Sequence, residues 1–180
     1  MKNKILRNWI LTAMFLALGI VLPFLTGQIP QIGSMLLPMH LPVFLCALIC
    51  GWQYATPMAF ILPLMRSLIF SMPPLYPNAV AMAFELAAYA FVAGFIYSRF
   101  KKQNIGIVYV SILCAMIAGR IVWGCAEIIL LGIGGKAFTW AAFWSGAIVK
   151  AIPGIIMLLV LVPAVMLVLD RTKLIRFRRV

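Results

Sequence analysis

This chain is built from long apolar runs with clusters of basic residues at their ends. Hydrophobic residues make up 66% of the sequence, whereas an ordinary soluble domain has about 45–50% on a count that also includes glycine. That excess excludes a soluble globular domain. The 180 residues are therefore expected to form one compact integral membrane domain, residues 1–180. They have room for about six or seven helical spans of roughly 20 residues each.

The formal net charge of +12 comes from 15 basic and 3 acidic side chains. On a soluble protein such an imbalance would suggest nucleic-acid binding, but the positions of the charges argue against a nucleic-acid partner. Most basic residues fall in three clusters at the ends of apolar runs: Lys2, Lys4 and Arg7; Arg99, Lys101 and Lys102; and Arg171, Lys173, Arg176, Arg178 and Arg179. We interpret these clusters as cytoplasmic anchors that face the anionic lipid of a bilayer.

The sequence predicts an all-α, integral membrane six-helix bundle with both termini in the cytoplasm. The region 34–71, whose one charge is Arg66, is interrupted near Gly51 and is counted as two spans. An even number of crossings must separate the first two basic clusters if both are cytoplasmic. The other four predicted spans are 9–26, 80–97, Ile105–Ile133 and 138–169. The external connections are then residues 27–33, 72–78 and 132–139.

Five ionisable side chains fall inside the predicted spans: Arg66, Glu85, Arg120, Glu127 and Lys150. Each costs a few kcal/mol at the bilayer centre unless it faces protein or water, so together they mark a polar feature in the interior. Arg120 and Glu127 are seven residues apart and share one helix face. Two interpretations remain open. Either the arginines and glutamates pair with one another and hold the bundle together, or they line a solute pocket.

On this topology, polar loop residues gather around the buried charges at the external end of the bundle. Amide donors, a phenol and indoles suit a small polar solute with a ring or a carboxylate better than a bare ion. The candidate substrate-binding residues are Gln28, Gln31, His40, Arg66, Tyr76, Asn78, Glu85, Arg120, Trp123, Glu127, Lys136 and Trp140.

Signatures of catalysis and nucleotide binding are absent, since the sequence has no HExxH, GxSxG, Walker or GxGxxG motif. The chain is therefore not expected to be an enzyme, and no catalytic residue, metal ligand or cofactor is assigned. A soft-metal site is a weak alternative. Cys46 and Cys50 lie four residues apart, near His40, Met35 and Met39, but a single histidine and no CxxC motif give it little support.

A pair of small residues, Ala13 and Ala17, lies one turn apart on a first helix that otherwise carries large side chains. Such a pair lets another helix approach closely. With the loops and buried charges, it makes the chain resemble the substrate-binding S-components of energy-coupling factor (ECF) vitamin transporters over nearly its whole length. The stretches that carry this resemblance are Ala13-x-x-x-Ala17, Gly27-Gln28-Ile29-Pro30, residues 35–43, residues 73–79, Met82-Ala83-Phe84-Glu85-Leu86, residues 119–124 and residues 151–155.

The resemblance implies a high-affinity membrane subunit that binds a small water-soluble vitamin or precursor in a bacterial plasma membrane. It implies that the three external connections form a lid over the vitamin. It further implies a separate transmembrane coupling subunit that docks on Ala13 and Ala17, and two ATPase subunits that drive uptake. The lack of a nucleotide motif in this chain agrees with that division of labour.

Two solutes of this family are favoured, pantothenate and pyridoxine-like compounds. Arg66, Arg120 and Lys136 would suit a carboxylate, whereas tryptophans beside Glu85 or Glu127 would suit a pyridine with hydroxymethyl groups. Two other functions remain open from the residues alone. A stand-alone, proton-coupled secondary transporter would use Glu85 or Glu127 as its proton site, and a scaffold protein would bind no solute.

Overall fold

The structure is a computed structural model that describes residues 2–26, 38–134 and 151–172. Within these ranges the regular structure is entirely helical, and no strand forms. The helices are α1 (Lys2–Val21), α2 (His40–Ile49), α3 (Trp52–Phe70), α4 (Val80–Arg99), α5 (Ile105–Ile133) and α6 (Ile152–Arg171). A 3₁₀ turn, Leu22–Thr26, follows α1, and a wide π-type turn, Leu75–Ala79, leads into α4.

Four segments are long and apolar enough to cross a membrane, namely Lys4–Phe24, Leu75–Arg99, Ile105–Ile133 and Ile152–Arg171. The six helices of the described ranges equal the predicted number of spans, but only four segments have the length and hydropathy of a span. The ten residues of α2 rise about 15 Å, which is half of a hydrocarbon core of about 30 Å. Helix α3 is longer, but its polar residues lower its hydropathy. Residues 27–33 and 138–150, which belong to predicted loops and to the last predicted span, lie outside the described residues.

A glycine separates the two helices of the region 34–71. Helix α2 is followed by Cys50, and Gly51 then adopts a φ of 96°, in the left-handed region that favours glycine. One continuous helix through this point would need a right-handed φ at Gly51, so the region forms two helices, as the sequence predicts.

The start of α5 is well defined, because the side chain of its N-cap residue Asn104 accepts a hydrogen bond of 3.0 Å from the Ile107 backbone nitrogen.

Helix α4 lies at the centre of the described bundle and contacts α2, α3 and α5. Its approach to the start of α3 is close because Gly94 has no side chain. A Cβ atom at Gly94 would stand 2.8 Å from the Trp52 backbone nitrogen and 2.9 Å from the Ala47 carbonyl oxygen. Around this contact the buried core includes Phe44, Leu62, Leu86, Ile112 and Leu158, one from each of α2 to α6.

The outer surface of the bundle is also apolar. Large hydrophobic side chains such as Ile117 and Ile133 on α5 and Ile156 on α6 are more than half exposed. A soluble protein rarely leaves so many large apolar side chains in water. The same surface has no such cost when it faces lipid. The buried residues therefore form a packed interior, and the exposed apolar residues form a lipid-facing exterior.

Five described basic residues collect at one end of the bundle. Asn8 near the start of α1 donates a 3.4 Å hydrogen bond to the carbonyl oxygen of Cys50, so the start of α1 lies beside the connection from α2 to α3. The contact of Gly94 with Trp52 brings the second half of α4 to the same place. We call this the basic end; it holds Lys4, Arg7, Arg99, Lys101 and Lys102.

The opposite end, which we call the loop end, holds the two short turns. The turn Leu75–Ala79 contacts α3 and α5 as well as α4. The hydroxyl of Tyr76 donates a hydrogen bond to the carbonyl oxygen of Leu130, which joins this turn to the last part of α5. Polar side chains on the first turns of α4 and the last turns of α5 therefore lie towards the loop end.

Candidate functional site

A buried carboxylate, Glu85, joins the two central helices. Its Oε1 atom accepts a 2.8 Å hydrogen bond from Nη1 of Arg120 on α5 and a 2.7 Å hydrogen bond from the hydroxyl of Tyr89, one turn further along α4. The Glu85 side chain is 3% exposed and that of Arg120 is 16% exposed. In a membrane interior such charges are costly unless they are paired or face water, and this ion pair satisfies that condition.

The position of Tyr89 depends on a glycine in the facing helix. Its ring lies directly on Gly119, where a Cβ atom would stand 2.2 Å from the Tyr89 Cε1 atom. On its other sides the ring packs against His40 and Phe44 of α2, with ring centroids 5.3 and 5.5 Å apart. Tyr89 therefore connects α2 to the ion pair, and any side chain larger than that of glycine at position 119 would displace it.

Glu127 adds a second carboxylate to this part of the bundle. Its side chain is 6% exposed, and it lies two turns beyond Arg120 on the same face of α5. Within the described ranges Glu127 forms no salt bridge, and Arg120 pairs with Glu85. We call Glu85, Tyr89, Arg120 and Glu127 the carboxylate cluster. When ionised, its two carboxylates and one guanidinium leave an excess of one negative charge.

Arg66 has other partners. Its Nη1 atom donates a 2.8 Å hydrogen bond to the carbonyl oxygen of Ile20. Its guanidinium lies over the rings of Phe24 and Phe70, at 5.5 and 5.8 Å from their centroids. These contacts tie the end of α1 to the end of α3. The sequence left open whether Arg66, Glu85, Arg120 and Glu127 pair with one another. In the described structure only Glu85 and Arg120 form an ion pair.

The remaining predicted site residues fall into three groups. Tyr76 and Asn78 lie exposed on the turn at the loop end, and Trp123 is half-buried on α5, one turn beyond Arg120. His40 is buried against Tyr89. Gln28, Gln31, Lys136 and Trp140 lie outside the described residues.

Sequence reasoning missed Tyr89 as a member of the cluster and Gly119 as the residue on which the Tyr89 ring packs. A signal for Tyr89 was present, because a residue four positions after Glu85 occupies the same helix face. Gly119 stands directly before Arg120, and its small size indicates a close helix contact. Neither signal identifies the residue that is contacted on the facing helix.

Ala13 and Ala17 are both exposed on α1, between the exposed side chains of Trp9, Met14 and Leu18. The opposite side of α1 packs on the bundle through partly buried residues such as Leu11 and Phe15. The small-residue pair is thus on the outer surface of the described structure and does not serve packing between its own helices.

The two buried cysteines, Cys46 and Cys50, lie near α1 in the packed interior. Cys46 Sγ lies 3.7 Å from the hydroxyl oxygen of Thr12, which itself donates a 2.7 Å hydrogen bond to the carbonyl oxygen of Asn8. Among the described residues, no group of three or more histidine, cysteine, aspartate or glutamate side chains is placed to hold a metal ion. Met35, considered with these cysteines, lies outside the described residues.

Comparison with known families gives one match. The family model described as the substrate-specific component of ECF transporters matches residues 7–166. No curated protein and no solved structure matches the chain. The matched range includes every helix of the described structure, with the exception of the first residues of α1 and the last residues of α6.

Proposed function

From the premise that this chain belongs to the family of substrate-specific components of ECF transporters, we propose that it binds a small water-soluble vitamin or precursor at the loop end of its bundle. Membership makes the chain a multi-pass membrane protein of a transport system and not an enzyme. It also implies a transported substrate and partnership with ECF coupling and ATPase modules. The solute, the position of its site and the docking surface are our proposals.

The carboxylate cluster is the observation that carries the proposed position of the site. Glu85 with Arg120 and Tyr89 is a self-contained unit that would be sufficient to link α4 to α5. Glu127 is not needed for that link, yet it is 6% exposed and lies two turns beyond Arg120 on the same face of α5. An extra carboxylate at membrane depth is costly unless it faces water or a ligand, which favours a solute site over a purely structural role.

The charge balance of the cluster favours a pyridoxine-like solute over pantothenate. Arg120 is paired with Glu85, and Arg66 is held by Ile20 and two rings. The guanidinium of the cluster is thus already neutralised by Glu85, whereas Arg66 is bound to the end of α1 and is not part of the cluster. Glu127 would instead accept hydrogen bonds from the hydroxymethyl groups or protonated ring nitrogen of a pyridine, and would repel a carboxylate.

Glu127→Gln, which keeps the size of the side chain but removes its charge, should weaken pyridoxine binding by about 1.5–3 kcal/mol, because a hydrogen bond to a charged group is lost. Calorimetric titration of the purified protein measures this change. Ser111→Ala, a change at another buried polar position of α5 near the basic end, should leave the affinity unaltered. Binding of pantothenate without binding of pyridoxine would contradict the proposed solute. Native mass spectrometry that finds no retained vitamin, together with no binding of either compound, would contradict the proposed function.

The proposed topology places both termini and the connection 100–104 in the cytoplasm. It is supported by the collection of Lys4, Arg7, Arg99, Lys101 and Lys102 at the basic end, because positive loop residues favour the cytoplasmic side. The six helices of the described ranges would then be embedded in the bilayer.

Single-cysteine labelling of a protein that lacks the four native cysteines should show this orientation. In right-side-out vesicles, an impermeant thiol reagent should react with Gln31→Cys and not with Gln103→Cys, since Gln103 lies on the connection 100–104 at the basic end. Reaction at position 103 with protection at position 31 would reverse the orientation and put the carboxylate cluster on the cytoplasmic side.

A further inference from the structure

An aromatic ladder runs along the outer surface of the bundle at the basic end. The Trp52 ring meets the Phe91 ring edge to face, with centroids 5.3 Å apart, and Phe91 stacks on Phe95 at 5.7 Å with an interplanar angle of 14°. The guanidinium carbon of Arg99 then lies 5.4 Å from the Phe95 ring centroid. We call Trp52, Phe91, Phe95 and Arg99 the aromatic ladder.

The backbone contact at Gly94 holds the ladder together. Because Gly94 has no Cβ atom, α4 approaches the backbone of Trp52 closely, and the Trp52 ring can reach both Phe91 and Phe95. The two phenylalanine side chains remain 42% and 40% exposed. The ladder is therefore both ordered by its own contacts and open to the surroundings of the bundle.

Three positively charged residues lie at the end of the aromatic ladder that Arg99 forms. Arg99 is in the last turn of α4, and Lys101 and Lys102 follow as exposed residues. In the part of the chain that the structure describes, no carboxylate forms a salt bridge with any of these three cations. Stacking on a ring uses the face of a guanidinium and leaves its N–H groups at the edge available for a phosphate.

We propose that the aromatic ladder, with Lys101 and Lys102, is a binding site for an anionic phospholipid. The phosphate headgroup would bind the edge of the Arg99 guanidinium and the two lysines, and an acyl chain would lie along the rings of Phe95 and Phe91. The choice of an anionic lipid follows from charge complementarity, since a zwitterionic headgroup offers these three cations no net negative charge. The cationic part of this site is at the basic end of the bundle, and the site does not depend on the solute.

Fluorescence of Trp52 in the full-length protein tests this site. The other four tryptophans are changed to phenylalanine, and the protein is reconstituted into phosphatidylcholine vesicles. Phosphatidylglycerol with brominated acyl chains should quench Trp52 more strongly than brominated phosphatidylcholine at the same mole fraction. Arg99→Gln should lower this preference by about fivefold, which corresponds to the contribution of about 1 kcal/mol from a basic residue near an anionic surface.

Two further variants distinguish a specific lipid-binding site from a general attraction between basic residues and anionic lipid. Lys4→Gln with Arg7→Gln removes two positive charges from the same end of the bundle but from α1, and should leave the preference of Trp52 intact. Phe95→Leu keeps Arg99 but removes the ring on which it stacks, and should lower the preference. Equal quenching by the two lipids, loss of the preference in the α1 variant, or full preference in Phe95→Leu would each overturn the proposal.

Discussion

Replacing Arg120 with methionine should lower the free energy of unfolding of the purified protein by about 3–5 kcal/mol, the usual cost of leaving one member of a buried ion pair without its partner. Glu85 is 3% exposed and would keep only the Tyr89 hydroxyl as a donor among its described contacts. Methionine preserves most of the length and packing of the arginine side chain, so the loss reports the missing charge. Thermal and denaturant unfolding in detergent, followed by circular dichroism, measures it.

A double variant makes this result specific to the ion pair. Glu85→Gln combined with Arg120→Met removes both charges, and most of the lost stability should return, because replacing both partners of a buried pair is far less costly than removing one. Lys101→Met, an exposed cation on the connection after α4, should change the stability by less than about 0.5 kcal/mol. If the single and double variants are equally unstable, the ion pair does not link α4 and α5 in the way that its geometry indicates.

Ala13→Trp or Ala17→Trp should abolish ATP-driven vitamin uptake by the assembled transporter and leave solute binding by the isolated protein unchanged. Both alanines are exposed on α1, so an indole at either position is accommodated without disturbing the bundle. A helix of the coupling subunit that packs on this surface would be held away, with loss of the close backbone contact that small residues permit. Uptake of radiolabelled vitamin into proteoliposomes that contain the coupling and ATPase subunits measures the first effect, and calorimetry measures the second.

The matched control is Ile117→Trp, which places the same side chain at an exposed apolar position of α5. Uptake should be retained in this variant. Normal uptake in both alanine variants would exclude α1 as the docking surface. A loss of solute binding together with uptake would show that α1 packs differently from the described structure. Uptake by the chain alone, without ATP or partner subunits, would instead support the stand-alone secondary transporter.

The assignment of this chain as a helical membrane protein follows largely from local sequence features. Apolar runs of span length predict membrane helices without knowledge of their neighbours, because transfer into lipid depends on the composition of each segment. The predicted membership of the S-component family is confirmed by a family match over residues 7–166. The position of Ala13 and Ala17 on a common helix face likewise needs only the helical repeat, whereas their exposure is seen only in the structure.

The lengths of the helices were less predictable in the region 34–71. Length alone leaves one tilted span or two short ones, and parity predicts two. The structure has a ten-residue α2 and a nineteen-residue α3 that meet at Gly51. Sequence analysis could mark Gly51 as an interruption, but the unequal division depends on where α2 packs against the rest of the bundle.

By itself, the sequence determined that the chain is a helical membrane protein with its cations gathered at loops and with charged residues hidden in its spans. Only the tertiary structure decided which of those charges meet. Arg120 and Glu127 share a helix face, but seven residues separate them by about 10 Å along the axis, which is too far for a salt bridge. The packing of α4 on α5 across Gly119 brings Glu85 to Arg120 instead, and the end of α1 supplies Arg66 with a carbonyl oxygen and a ring. Such partners lie on other helices, so no spacing within one helix reveals them.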